Sequence, residues 1–251
     1  MFKDYFSSHA ASYAERRPDY PDALFTYLAE QAAADQLAWD AATGSGQAAH
    51  GLARHFKRVW ATDASVAQIR EALPHPRVSY RVAPAEASGL GAASVDVLTV
   101  AQALHWFDLP RFYAEAHRVL RPGGVIAVWC YNLMSITPSV DHLLWRFYAE
   151  TLGPDWPSER RLVEAGYRSV EFPFLEAPGV PEFSIERTWV LEEVLSYVHT
   201  WSAVQRYQRR VGTNPVEVHL APRLRRAWGN AAEQRLVRWP IHLRLGTHRA
   251  A

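Results

Sequence analysis

A nine-residue segment constrains the fold of this 251-residue chain more than any other part of it. Residues 39–47 read Trp-Asp-Ala-Ala-Thr-Gly-Ser-Gly-Gln, so an acid and a Gly-x-Gly turn stand between a short apolar run and a helical pattern. Glycines let the backbone turn sharply and approach a ligand closely. A second acid, Asp63, ends the next apolar run. This order indicates a nucleotide-type pocket at the carboxyl ends of parallel strands.

Strand-like and helical patterns alternate between residues 37 and 130. Helical spacing of apolar residues separates the apolar runs, and Asp108 followed by Pro110 is typical of a helix start. Such a rhythm is typical of a doubly wound α/β fold with a parallel sheet. The predicted strands are Leu37–Trp39, Val59–Thr62, Val78–Val82, Val95–Val100 and Val125–Cys130.

After Cys130 the rhythm breaks. Residues 133–182 are rich in proline, glycine and aromatic residues, with one helical pattern near Val140–Tyr148, and we interpret them as a cap insertion. A strand over Phe183–Val190, a helix from Leu191 and an alternating run from Ile241 follow. We predict a Rossmann-like, seven-stranded sheet, mostly parallel with an antiparallel last strand. The chain then divides into N-terminal lid helices (1–35), a cofactor-binding core (36–132), the cap (133–182) and C-terminal elements that complete the sheet (183–251).

Composition limits the class of partner. The formal net charge is +1, which argues against a dedicated nucleic-acid binder, and we interpret the arginine runs at 206–210 and 223–226 as solvated helix faces. The single cysteine, Cys130, excludes an internal disulfide and fits a reducing compartment. No apolar run is long enough for a membrane span, and the first residues do not resemble a signal peptide. His and Cys spacings predict no metal site. We expect a cytoplasmic protein, monomeric or homodimeric, that binds neither nucleic acid nor membrane.

Asp40 narrows the choice of nucleotide. Gly44-x-Gly46-x-x-Ala49, with Asp63 about 20 residues beyond, also satisfies the dinucleotide fingerprint. A carboxylate at the end of the first strand would repel a pyrophosphate but hold an ammonium group. S-Adenosylmethionine offers that ammonium, a carboxylate for the helix amides, and ribose hydroxyls for Asp63.

Several motifs in the same order resemble class I S-adenosylmethionine-dependent methyltransferases. Asp40-x-Ala-x-Gly-x-Gly46 resembles the family's first motif, in which glycine usually replaces Ala42. The stretches 61–65, 83–86 and 120–124 resemble the acid-ended second strand, the loop that meets the adenine, and the turn before the fifth strand. Two further motifs, Ala101-Gln-Ala-Leu-His-Trp-Phe-Asp108 and Tyr13-x-x-x-Arg-Pro-x-Tyr-Pro21, resemble the methyltransferase type 11 subgroup that includes trans-aconitate methyltransferase.

The resemblance and the strand order together predict the site. The expected cofactor-binding residues are Asp40, Ala41, Ala42, Gly44, Ser45, Gly46, Asp63, Ala64, Ala85, Glu86, Ala101 and Gln102. The expected substrate-binding residues are Tyr13, Arg17, Tyr20, Trp106 and Tyr131. Trp189, Trp201 and Tyr207 are further candidates for the substrate side, although aromatic residues at such spacing are more often core.

His105 is the candidate general base, because residues 101–108 should overhang the cofactor and an unperturbed imidazole titrates near neutral pH. Packing, or orienting a carboxylate, is the equally weighted alternative for His105. A carboxylate acceptor, which the resemblance to the aconitate enzyme implies, needs no base. We therefore predict a methyltransferase acting on a small molecule. An NAD(P)-dependent reductase and a non-catalytic S-adenosylmethionine-binding protein remain as alternatives.

Overall fold

The computed structural model describes residues 19–249. Within this range eight strands form one sheet, and every strand expected from the alternation pattern is present. The strands are β1 Leu37–Ala41, β2 Arg58–Asp63, β3 Val78–Val82, β4 Val95–Ala101, β5 Leu120–Tyr131, β6 Leu175–Glu176, β7 Phe183–Trp189 and β8 Arg235–Thr247.

The helices lie between the strands and in the second half of the chain. They are α1 Asp22–Gln31, α2 Gln47–Leu52, α3 Val66–Glu71, α4 Leu109–Val119, α5 Pro138–Arg146, α6 Arg160–Glu164, α7 Leu191–His199, α8 Ser202–Val211 and α9 Ala221–Trp228. Single 3₁₀ turns span Leu104–Trp106 and Gly153–Asp155, and π-helical turns span Phe147–Thr151 and Val216–Leu220.

The strand order is β3-β2-β1-β4-β5-β8-β6, with β7 also paired to β8. The first five strands are parallel and β8 runs antiparallel to β5, which confirms the predicted Rossmann-like fold and its antiparallel last strand. The sheet exceeds the predicted seven strands by β6, a two-residue pairing. The strand order reverses between β1 and β4, so their carboxyl ends diverge there and leave a crevice for a ligand.

Alternation along the inner strands divides the core in two. On β1 and β4, Ala38 and Val97 face a cluster that contains α1, α2 and the C-terminal helices. Their neighbours Trp39 and Leu98 face a second cluster built on α4. Helices thus cover both faces, which is why these strands read as continuous apolar runs.

Two polar residues interrupt the apolar run of β4, and both have partners. Asp96 accepts a hydrogen bond from the Leu37 amide at 2.8 Å and forms an ion pair with Arg121. Thr99 donates to Asp40 on the adjacent strand at 2.8 Å. Both groups are therefore satisfied despite burial, as buried polar groups must be.

The predicted cap contains α5, confirming the helical pattern near Val140–Tyr148, and it returns to the sheet through β6. Helix α5 contacts α9, and the turn at 147–151 contacts the turn at 216–220. The helical layer on this side is therefore built from two separate stretches of chain. Within residues 19–249, no helix is both long and apolar enough to cross a membrane.

Candidate active site

A cavity of about 670 Å³ lies at the carboxyl ends of β1, β2 and β4. Its wall brings together the glycine turn, the end of β2, the loop after β3 and the turn after β4. The residues expected from the sequence that line it are Tyr20, Ala42, Gly44, Ser45, Asp63, Ala64, Ala85, Glu86, Ala101, Gln102, His105 and Trp106. Tyr13 and Arg17 lie outside the described residues.

The turn after β1 takes three left-handed backbone conformations. Ala42, Gly44 and Gly46 have φ values of 55°, 57° and 93°. Left-handed backbone costs an L-residue about 1 kcal/mol or more, which explains why the family usually has glycine where this chain has Ala42. A side chain at Gly46 would overlap the Tyr80 ring, so Gly46 faces Tyr80 and not the cavity.

Asp40 departs from the expected direct contact with a ligand. It is fully buried and does not line the cavity. Its carboxylate accepts hydrogen bonds from the Thr43 hydroxyl at 2.6 Å, the Thr99 hydroxyl at 2.8 Å and the Ala49 amide. Burial nevertheless raises its pKa to about 6. Asp40 therefore holds the turn in place from the buried side, and Thr43 lies between Asp40 and the cavity.

Ala41 also turns away, into the core cluster beneath α4. Asp63, by contrast, is held at the cavity wall by two backbone donors. Its Oδ2 accepts from the Gly44 amide at 2.9 Å, and its Oδ1 accepts from the Ser65 amide at 2.8 Å. These bonds tie the end of β2 to the glycine turn of β1 and fix the orientation of the carboxylate.

Glu86 joins the loop after β3 to the start of α4. Its Oε1 accepts from the Asp108 amide at 2.9 Å. Asp108 is in turn the N-cap of α4, accepting from the Arg111 amide. The predicted adenine loop is thereby anchored to the helix that follows β4, and Ala85, Glu86 and Phe107 share one side of the cavity.

Gln102 and Tyr131 are paired with each other. The Gln102 side chain donates to the Tyr131 carbonyl at 3.0 Å and accepts from the Tyr131 amide at 3.2 Å. Gln102 also has a left-handed φ of 57°. Tyr131 itself does not line the larger cavity but a second one next to it. The pair therefore closes the gap between the ends of β4 and β5.

His105 contacts Tyr167 through Nδ1, which lies 2.8 Å from the phenolic oxygen. That oxygen also accepts the backbone N–H of His105. Burial raises the pKa of Tyr167 well above its ordinary value, so the phenol keeps its proton. We predict that this proton is donated to Nδ1, which places the proton of neutral His105 on Nε2. In the other tautomer Nδ1 donates to Tyr167 and Nε2 carries the basic lone pair, so the role of His105 as general base stays a prediction.

The second cavity, of about 100 Å³, shares Gln102, His105 and Trp106 with the first. Trp201 lines it as anticipated, whereas Trp189 packs on Trp239 and Tyr207 contacts His219. Sequence reasoning did not anticipate several residues that line one cavity or the other: Gln47, Gln68, Arg111, Trp156, Glu159, Arg160 and Tyr197. Trp156 and Arg160 are an aromatic residue and a cation close together in the cap sequence. This pairing was the sequence signal that could have pointed to the second cavity.

Among residues 19–249, no three His, Cys, Asp or Glu side chains come together as a metal-ligand set.

Comparison with known proteins agrees with this geometry. A family model described as a methyltransferase domain matches residues 39–128. A protein of Dictyostelium discoideum, described as a methyltransferase, is 37% identical over 205 residues, which cover 80% of this chain and 78% of the relative. A solved structure from Anaeromyxobacter dehalogenans, described as a type II methyltransferase, is 50% identical, with a TM-score of 0.88 over 94% of this chain and 99% of that one.

A more distant structure shows the fold alone. Phosphoethanolamine N-methyltransferase 2 of Haemonchus contortus, solved with phosphomonomethylethanolamine and S-adenosylhomocysteine, is 13% identical, with a TM-score of 0.51 over all of this chain and 60% of that one. The fold and site thus define a class I methyltransferase architecture. The chain belongs to the class I S-adenosylmethionine-dependent methyltransferase family. This membership sets aside the reductase alternative.

Proposed function

We propose that this protein transfers a methyl group from S-adenosylmethionine to a small-molecule acceptor. The observation that carries the proposal is the hydrogen bond from the Gly44 amide to the Asp63 carboxylate. It lies where the strand order of the sheet reverses, and the carboxylate and the glycine turn line the same cavity there. A carboxylate in this position suits the hydroxyls of a ribose, because charge-assisted hydrogen bonds are stronger than neutral ones.

The larger cavity fits the cofactor in size and chemistry. Its volume of about 670 Å³ falls within the range of small-molecule sites. The turn at Ala42–Gly46 would hold the amino-acid portion, Asp63 the ribose, and Ala85 with Glu86 the adenine. When bound, the cofactor supplies an electrophilic methyl group on a sulfonium. The chain's own residues orient that group and exclude water.

For the acceptor we favour a carboxylate. The narrower resemblance to trans-aconitate methyltransferase motivates this choice, and it stays a prediction. The proposal takes His105 in the tautomer whose Nδ1 accepts the Tyr167 proton at 2.8 Å, in which the ring is a donor and not a base. An acceptor that is already an anion needs no proton removed before it attacks.

The test is a methyl-transfer assay with isotopically labelled S-adenosylmethionine and a panel of small carboxylates, phenols and amines. The proposal expects label in an acceptor, with equal release of S-adenosylhomocysteine. A non-catalytic cofactor-binding protein would bind S-adenosylhomocysteine and label nothing in the panel. That result would overturn the proposal.

A further inference from the structure

We propose that the second cavity is the acceptor subsite, and that it binds a carboxylate carried on a flat apolar group, with Arg160 as the anion partner. The inference rests on the proposed function and adds the location and chemistry of acceptor binding. The cavity is next to the cofactor cavity, and Gln102, His105 and Trp106 belong to both walls. A group bound in the second cavity therefore adjoins the first.

Among the described residues, the guanidinium of Arg160 is held by neutral hydrogen-bond acceptors. Its Nε donates to the Tyr148 hydroxyl at 2.8 Å, and Nη2 donates to the Asn132 side chain at 2.9 Å. The guanidinium lies 5.0 Å from the Trp156 ring centroid and 5.5 Å from that of Tyr148. Over residues 19–249, no carboxylate comes within 4.0 Å of its nitrogens. Within this part of the chain the guanidinium is thus held in place with no carboxylate bonded to it directly, as an anion site requires.

Tyr148 connects Arg160 to an acid, Glu164, through its hydroxyl. The Tyr148 hydroxyl donates to Glu164 while accepting from Arg160, and burial raises the pKa of Tyr148 to about 12, so the phenol stays protonated. Glu164 therefore orients the tyrosine and leaves the guanidinium without a direct carboxylate. A planar guanidinium pairs with carboxylates through parallel hydrogen bonds, which makes this class of anion the best match.

Aromatic rings form part of the remaining wall, beside polar residues that include Asn132, Thr200 and Ser202. Trp156 lies 5.9 Å from Trp201 between ring centroids, and Trp201 lies 6.2 Å from Tyr197. The Trp156 indole is held by a hydrogen bond to the Tyr148 carbonyl at 3.1 Å. Rigid rings favour a flat apolar ligand body. Such rings also suit quaternary ammonium groups, but the charge of Arg160 opposes a cation here.

Transfer of the methyl group to a carboxylate requires no base. An oxygen of the acceptor carboxylate attacks the methyl carbon of S-adenosylmethionine. The new O–C bond forms as the C–S bond breaks, and the electron pair of that bond stays on the sulfur of S-adenosylhomocysteine. The product is a methyl ester, and no proton is released. His105 and Arg160 both line this cavity.

The test uses the full chain saturated with S-adenosylhomocysteine, with three probes of one shape: trans-cinnamate, its neutral amide and the cationic cinnamylamine. Calorimetry should show cinnamate binding about ten-fold or more tightly than either of the others. Arg160→Gln should weaken cinnamate binding about ten-fold and leave the amide unchanged, whereas Arg160→Lys should give an intermediate loss. Arg161→Gln, at the exposed neighbouring arginine, is the matched control and should bind as the wild type does.

Affinity for S-adenosylhomocysteine is measured for every variant. Equal binding of cinnamate and its amide to the wild type, or equal effects of Arg160→Gln and Arg161→Gln, would overturn the inference. Both results leave the proposed function standing as long as S-adenosylhomocysteine binds. Failure of the wild type to bind S-adenosylhomocysteine would instead contradict the proposed function itself.

Discussion

The phenolic oxygen of Tyr167 lies 2.8 Å from Nδ1 of His105 and also receives the backbone N–H of that histidine. Tyr167 is fully buried, so we predict that its hydroxyl donates its proton to the imidazole. Tyr167, which lies 62 positions further along the chain, would then select the His105 tautomer that is protonated on Nε2.

We predict that neutral His105 carries its proton on Nε2. Two-bond ¹H–¹⁵N correlation spectra of histidine-labelled protein at mildly alkaline pH distinguish the two tautomers, and His105→Gln identifies the signal. Tyr167→Phe should convert the pattern to a mixture, because the donor to Nδ1 is gone. A wild-type signal of the Nδ1–H form would refute the assignment.

The same assignment predicts that two substitutions of His105 have different effects on the rate of methyl transfer. His105→Gln keeps a side-chain N–H donor but has no titratable nitrogen, so methyl transfer should fall only a few-fold. His105→Leu removes the donor and should reduce turnover about ten-fold or more. Steady-state rates with an acceptor found in the panel provide the measurement. If both variants lost activity equally, a general base would be the better explanation.

Asp40 should make folding stability depend on pH. Its pKa rises from 3.8 to about 6 on folding, so the folded chain binds the proton more tightly than the unfolded chain. The resulting stabilisation is fully present below the ordinary pKa and is lost as pH rises through about 6. Relative to Asp40→Asn, the wild type should lose about 2 kcal/mol of unfolding free energy between about pH 4.5 and about pH 7.5.

Urea unfolding of both proteins at the two pH values measures this difference. Glu71→Gln, at an exposed carboxylate, is the control and should show no comparable trend. A difference between wild type and Asp40→Asn that stays constant with pH would contradict the account of Asp40 as a buried carboxylate ionising near pH 6.

Replacing Ala42 by glycine should stabilise the folded protein. Its φ of 55° is left-handed, and glycine adopts that conformation without the steric cost to a Cβ. Ala42→Gly should raise the unfolding free energy by about 0.5–1 kcal/mol. Ala41→Gly, one residue earlier in the buried strand, should instead lower it by about 1 kcal/mol or more. Chemical denaturation at one pH compares the two, and destabilisation of similar size in both would show that Ala42 is not strained.

The fold was largely readable from the sequence because its signals are local. Buried parallel strands appear as short apolar runs, and Asp108 with Pro110 marks the start of α4 where the structure has it. The two-residue strand β6 has no periodicity to detect, and its pairing depends on β8, about 70 residues later.

The residues of the site were likewise predictable where the signal is local in sequence, and not where it depends on distant partners. The glycine turn follows the first predicted strand and Asp63 ends the second. Both could therefore be placed on the cavity wall from the sequence. The burial of Asp40 depends on Thr99, a partner on a strand that follows 59 residues later. The second cavity draws on the turn after β4, the cap and the helices after β7, so no single stretch of sequence carries its pattern.

The most direct test of the central claim is calorimetric titration of the wild type with S-adenosylhomocysteine, beside NADH and the variants Asp63→Ala and Glu71→Ala. We predict that the wild type and Glu71→Ala bind S-adenosylhomocysteine equally and do not bind NADH. Asp63→Ala should bind about ten-fold or more weakly, because it loses charge-assisted hydrogen bonds worth about 1.5–3 kcal/mol. Equal affinity of Asp63→Ala and Glu71→Ala for S-adenosylhomocysteine, or preferential binding of NADH, would contradict the account.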